Sequence, residues 1–198
     1  MTVKMITVIA VVLLGTWAYG DECNSLRYVD NGNGTVTDCR TGLVWLKNAS
    51  CMVASNGVPN PVGMLNWQNA MKWVAGLGNG LCSLTDGSAA GDWRLPTKYE
   101  WMMMLEAARK LLLSNPAFIN PTFTNAAGTG QWTTGDYFTG IATDGIYWSA
   151  TSNAALPDYA GYAYLYNGLV SNAPKSELMY VWPVRGGQAG TIGTLRVE

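Results

Sequence analysis

The alternation of apolar and polar positions divides the chain into a β-rich start, a helical middle and an aromatic, glycine-rich end. Leu26-Arg27-Tyr28-Val29-Asp30 and Thr35-Val36-Thr37-Asp38 are strand-forming runs on either side of Asn31-Gly32-Asn33-Gly34. Asn and Gly reach positive φ at little cost, so the spacing predicts an antiparallel hairpin. A second turn at Arg40-Thr41-Gly42 returns the chain as Leu43-Val44-Trp45-Leu46, a third strand. Cys51 to Leu65 is rich in Pro, Gly and Asn and reads as a loop.

Two helices follow. Asn66 is placed as an N-cap, and Trp67, Ala70, Met71, Val74 and Leu77 recur at helical spacing up to Gly78. Thr97-Lys98-Tyr99-Glu100 is a capping box, in which the Thr hydroxyl accepts from the Glu100 N–H while the Glu carboxylate accepts from the Thr97 N–H. The helix it opens carries Trp101, Met104, Leu105, Ala108, Leu111 and Leu112 on one side, and Asn115-Pro116 ends it. The run Met102-Met103-Met104 offers soft thioethers to copper, but consecutive helical residues point in different directions and packing is the better account.

Beyond Asn120 the helical period disappears. Gln131-Trp132-Thr133-Thr134, Tyr147-Trp148-Ser149-Ala150, Tyr162 to Tyr166 and Met179-Tyr180-Val181-Trp182 read as strands. Asn167-Gly168 is a two-residue hairpin signal leading into Leu169-Val170, and Pro183 puts the last run at an edge or a strand end. Gly186 to Glu198 reads as a loosely held tail. With no repeat and no linker, residues 21–198 form one α+β domain.

The first twenty residues stand apart. Lys4, the apolar stretch from Met5 to Leu14 and Ala18-Tyr19-Gly20 have the layout of a secretory signal peptide, with an apolar stretch short for a bilayer span. The expectation is a secreted product, extracellular or at the cell surface, with the periplasm as the other exported compartment. Only 13 % of the 198 residues are charged, against about 25 % in an average globular protein. A net charge of −1 provides no basic field for nucleic acid. The absence of histidine excludes every His-dependent catalytic or metal design.

Cys23, Cys39, Cys51 and Cys82 all follow the leader, and an even count in an exported chain reads as two disulfides with three possible connectivities. Nearest-neighbour pairing, Cys23–Cys39 and Cys51–Cys82, is preferred because each pair closes its own supersecondary unit. Asp30 and Asp38 in the Asn-rich hairpin raise the possibility of calcium, although the order of residues is not that of an EF-hand loop and turn chemistry accounts for them. No other cofactor is expected.

Three segments together carry a family resemblance. They are Asp30 to Asp38 running on to Thr41-Gly42-Leu43-Val44-Trp45, then Asp92-Trp93-Arg94-Leu95-Pro96-Thr97 with Glu100, and finally Tyr147-Trp148-Ser149 with Val184-Arg185-Gly186-Gly187. In that order they resemble the DUF1566 family, also named after the C-terminal domain of the Legionella collagen-like adhesin. The Arg94 and Arg185 segments are more distantly similar to formylglycine-generating and other C-type-lectin-like folds. The resemblance implies a C-type-lectin-like mixed fold, with two helices, twisted antiparallel sheets and long loops. Trp93, Arg94, Thr97, Glu100, Trp148 and Arg185 are expected to be structural, with Arg94 satisfying carbonyls or pairing with Asp92 or Glu100.

The family name implies adhesion, and an exported non-enzymatic module that binds an extracellular glycan or protein is the leading expectation. Nine tryptophans, of which Trp17 lies in the leader, and many Tyr, Asn and Thr residues suit the CH faces and hydroxyls of sugars. The charge balance favours a neutral glycan over a sulfated one. The alternative is a structural subunit that assembles with itself, since little repulsion opposes association. A glycan-active enzyme would need a carboxylate pair from Asp136, Asp144 and Asp158, and the chain lacks the late cysteine pair of the formylglycine oxidases. Period-two alternation puts Tyr162, Tyr164 and Tyr166 on one face and Ala163 and Leu165 on the other. The tyrosine row is the expected ligand or assembly surface, unless Thr139 to Ile146 folds over it.

Overall fold

The computed structural model describes residues 23–51, 63–114 and 122–186. The leader lies outside them, as do most of the 51–65 loop, Asn115-Pro116 and the tail beyond Gly186.

The hairpin forms where the Asn-Gly pairs place it. Strand β1 (Tyr28–Asp30) pairs antiparallel with β2 (Thr35–Asp38), which pairs with β3 (Leu43–Leu46). Inside the turn, Asn31 Nδ2 donates to the hydroxyls of Thr35 and Thr37, and the Gly32 N–H donates to Asp30 Oδ1. Gly34 is required at its position: φ is +86°, and a Cβ there would lie 2.6 Å from the Ser83 carbonyl oxygen. The sheet is completed by the last strand of the domain, β9 (Val184–Gly186), alongside β3.

A second sheet has the order β4-β8-β5-β6-β7: Met64–Leu65, Met179–Tyr180, Ile146–Ser152, Tyr159–Tyr164 and Leu169–Pro174. Its pairings are antiparallel except β5 with β8. Helix α1 (Trp67–Ala75) buries Ala70 and Val74 with Leu65, Trp148 and Met179, all in one cluster. Helix α2 (Lys98–Ser114) buries Trp101, Met104 and Leu105 in a larger cluster with Trp45, Tyr147 and Trp182. Its three consecutive methionines diverge as packing requires: Met102 is exposed, Met103 half-buried and Met104 buried.

Trp182 is the hub of this core. Its ring lies 4.9 Å from Phe138, 5.1 Å from Trp45, 5.9 Å from Tyr147, 6.0 Å from Trp101 and 6.2 Å from Phe123, at steeply inclined angles. Its Nε1–H donates to the Leu46 carbonyl at 2.7 Å, which anchors β3 to the chain entering β9.

Both disulfides, Cys23–Cys39 and Cys51–Cys82, form as the nearest-neighbour reading has them. One ties the chain ahead of β1 to the end of β2. The other ties the end of the first sheet region to the loop after α1.

Other boundaries differ from the sequence reading for identifiable reasons. Helix α1 stops at Ala75 and not before Gly78, because the Gly76 N–H turns back to the Trp73 and Val74 carbonyls. Gly78 then packs against the backbone of Ser88 to Ala90, where a Cβ would meet atoms at 3.1–3.3 Å. Gln131 to Thr134 is not a strand: only the Thr124–Gln131 bridge forms, and Thr133 enters a turn closed by Asp136. Of Met179 to Trp182, only the first two residues pair, since the chain then crosses between sheets to deliver Trp182 to the core. Strand β6 ends at Tyr164, because Leu165 N–H bonds the Gly145 carbonyl and its own carbonyl accepts from Thr122. The turn is therefore Leu165 to Gly168, longer than the Asn167-Gly168 pair suggested. Gly186 belongs to β9, opposite Leu43, and not to the tail.

Trp182→Ala is expected to lower unfolding free energy by about 3–5 kcal/mol, the usual cost of deleting a large buried ring. Urea denaturation measures it, and a loss under about 1 kcal/mol would show that Trp182 is not the hub.

Candidate functional site

The tyrosine row lies on the face of the second sheet that α1 only partly covers. Register puts Tyr162 between Trp148 and Ser171, and Tyr164 between Ile146 and Leu169. Ala163 and Leu165, with the opposite orientation, are fully buried. Tyr162 and Tyr164 are half-buried, and Tyr166 is 51 % exposed beside Leu169 at 47 %. Tyr162 leans on the α1 cluster, whereas Tyr164 and Tyr166 stack on each other at 5.7 Å and 23° between planes. None of the three is covered in the way a closing 139–146 loop would require. That segment instead meets Leu165 through Gly145.

The turn that carries Tyr166 is held on several sides. Thr122 Oγ1 donates to the Tyr166 carbonyl at 3.2 Å, Gly168 N–H donates to Tyr164, and Leu169 N–H donates to Asn167 Oδ1. Gly168 has φ +70°, and a Cβ there would come within 2.9 Å of the Thr122 methyl group. The stacked pair is thus a rim fixed in place by backbone bonds, with amide and hydroxyl groups of Asn167 and Ser171 beside it.

Arg94 and Glu100 form a forked ion pair, with Arg94 Nη1 and Nη2 donating to the two carboxylate oxygens at 2.7 and 2.6 Å. The same carboxylate accepts the Thr97 N–H at 2.7 Å, and Thr97 Oγ1 accepts the Glu100 N–H, so the capping box is complete. Arg94 also donates to the Leu95 and Gly186 carbonyls, and its backbone bridges Val184. Arg185, one strand position on, holds the enclosed carboxylate of Asp86 at 3.0 Å and lies 5.5 Å over Trp93. Trp93 donates to Ser88, which donates to Asp86. Trp148 is buried, donates to the Leu65 carbonyl and accepts the Trp101 indole N–H. These residues lock β9 and the start of α2 to the core.

Burial works against ionisation of Glu100. The hydrogen bonds from Arg94 and Thr97 and the Arg94 charge outweigh it, so its pKa lies below the ordinary value. Asp86 is likewise depressed against its burial, by the bonds from Ser88 and the Arg185 charge.

The remaining sequence candidates fall elsewhere. Asp30 pairs with Lys47 Nζ at 2.5 Å, and Asp38 is buried against Arg27 at 3.4 Å and the Arg40 N–H. Among the described residues, no group of three or more His, Cys, Asp or Glu is placed to hold a metal ion. Asp136 closes its own turn on Thr133, while Asp144 and Asp158 are exposed. Six of the tryptophans (Trp45, Trp93, Trp101, Trp132, Trp148 and Trp182) are buried, and Trp67 and Trp73 are half-buried.

Two arrangements had no clear sequence signal. Arg27, in the bend just ahead of β1, is buried with its guanidinium 4.8 Å over Tyr28. Lys175 lies 4.3 Å over the Trp67 ring and donates to the Pro157 carbonyl and Ser152 Oγ, tying two loops to α1.

The family model of the Lcl C-terminal domain matches residues 34–185, and the chain belongs to that family. A comparison with curated proteins finds none that matches. No helix among the described residues is long and apolar enough to cross a membrane.

Thr97→Ala is expected to cost about 1 kcal/mol in urea denaturation by removing the N-cap oxygen. A second expectation concerns pH. Because the Glu100 pKa is depressed on folding, its stabilisation is present above its unfolded pKa and is lost as pH falls through the folded one. Stability should therefore drop more steeply in the native protein than in Glu100→Gln as pH falls below the ordinary Glu value of about 4.5. Parallel slopes would refute the role given to this carboxylate.

Proposed function

We propose that the protein is an exported, non-enzymatic recognition module of the adhesin type, binding a neutral extracellular glycan on the shelf of Tyr162, Tyr164 and Tyr166. The observation that carries this reading is the stacking of half-buried Tyr164, at the end of β6, on exposed Tyr166 in the pinned turn. Aromatic faces beside amide and hydroxyl groups match the CH faces and hydroxyls of a sugar. Rigid anchors also reduce the entropy lost on binding. The tryptophans are mostly committed to the core, so tyrosines such as Tyr166 and Tyr99 supply the exposed aromatic surface. The family is named after the C-terminal domain of an adhesin, two disulfides suit an oxidising compartment, and the low net charge disfavours sulfated ligands. Binding on this surface needs no calcium.

A glycan array probed with the purified protein, and with Tyr164→Ser/Tyr166→Ser, tests the reading. The expected result is recognition of uncharged glycans that survives chelation by EDTA. The variant should lose it while keeping its melting temperature. Equal binding by the folded variant, or selective binding of sulfated glycans, would overturn the proposal.

A further inference from the structure

The hairpin of β6 and β7 ends the second sheet, its outer edge pairs with no other strand among the described residues, and the hairpin itself carries no charge. From Tyr159 through Pro174 no residue is Asp, Glu, Lys or Arg. Which backbone groups face outward follows from the register. In antiparallel strands the N–H and C=O of one residue point to the same side, and the side alternates along the strand. The Tyr159 carbonyl accepts the Asn153 N–H from the β5 side, and the Tyr164 carbonyl accepts Gly168 from the β7 side. Ala160, Tyr162 and Tyr164 therefore bond to Ala173, Ser171 and Leu169. The backbone groups of Val170 and Asn172 point out of the sheet, followed by Pro174, which has no N–H.

Exposed edges are normally protected by charge, by brevity or by a covering segment. The opposite edge, β4, has two residues, and in the first sheet the chain leading into β1 is covered by Ala126, whose carbonyl takes the N–H groups of Arg27 and Tyr28. Strand β7 has six residues. The lysine placed to guard it, Lys175, is drawn back onto Trp67, Ser152 and Pro157. Two further charges approach from the helix side of the sheet: Lys98 reaches Asn172 Oδ1, and the stem of Arg109 packs against Gly168.

We propose that β7 pairs antiparallel with β7 of a second copy of this chain, about a two-fold axis through Ser171. Outward groups then meet their own complement. Val170 exchanges both backbone bonds with Asn172 of the second copy, and Asn172 with Val170 of the second copy, giving four bonds in all. Leu169 faces Ala173 of the second copy across the axis. A net charge of −1 per chain leaves little repulsion to overcome. The axis is perpendicular to the sheet, so the two tyrosine shelves lie on the same face of one continuous sheet. The pairing does not depend on the shelf's ligand.

Sedimentation velocity on the purified protein tests this with Asn172→Pro, which removes an outward N–H that the β6 ladder does not use, and Asn172→Lys, which restores a guarding charge. The native protein is expected to dimerise at concentrations up to about 0.1 mM. Asn172→Pro should associate roughly thirtyfold more weakly, having lost two of the four bonds. Asn172→Lys should be similarly shifted toward monomer, and Tyr164→Ser/Tyr166→Ser should dimerise like the native chain. A native protein that stays monomeric would overturn the proposal, as would unchanged dimers in both folded Asn172 variants. If Asn172→Pro fails to fold, Asn172→Lys decides alone.

Discussion

The structure depends on the cross-links that four of its six buried indoles make through their N–H, while those of Trp45 and Trp132 find no partner among the described residues. Trp182 uses the Leu46 carbonyl, Trp148 that of Leu65, Trp101 that of Trp148, and Trp93 the Ser88 hydroxyl. The first three join segments far apart in sequence, β8–β9 to β3, β5 to β4 and α2 to β5, while Trp93 and Ser88 are five residues apart. A chain with few charges thus obtains cross-links that are both apolar in area and directional at one atom. The same commitment explains why the surface aromatics are tyrosines. A tyrosine keeps its hydroxyl in water while its ring rests on the sheet, which an indole buried for the core cannot do.

Around β9 the cross-linking passes to two arginines. Arg94 reaches Glu100 and two carbonyls, and Arg185 holds Asp86 over Trp93. Glu100 serves at once as cap, ion-pair partner and link to β9 through Arg94. Its removal would disturb the start of α2 and the end of the first sheet together.

Local chemistry was legible in advance, and long-range chemistry was not. Asn31 to Gly34 announces its hairpin because the side chains that form the turn are adjacent in sequence. Thr97 and Glu100 announce a helix start for the same reason. The disulfide pairing was readable because each bridge closes a local unit. The end of α1 was not, because Gly76 and Gly78 are both able to stop a helix and the docking of Gly78 on Ser88 to Ala90 decides between them. Met64–Leu65 is a strand only because Met179–Tyr180 lies beside it. Alternation correctly separates Tyr162 and Tyr164 from Ala163, but Tyr166 owes its place to a turn shaped by Thr122 and Gly145, both more than 20 residues earlier in the chain. The partners of Arg27 and Lys175 arise from tertiary approach and have no local pattern.

The pairing of β9 with β3 sets the order in which the protein comes into being. Val184 meets Trp45 across nearly the whole domain, and Trp182 fills the core from the same late segment. Until those residues leave the ribosome, the first sheet lacks an edge and the aromatic cluster lacks its centre. Such distant contacts are entropically slow to close. A growing chain therefore stays loose until its last strand is made. Locking waits for this late strand to close on β3 and for Trp182 to enter the core.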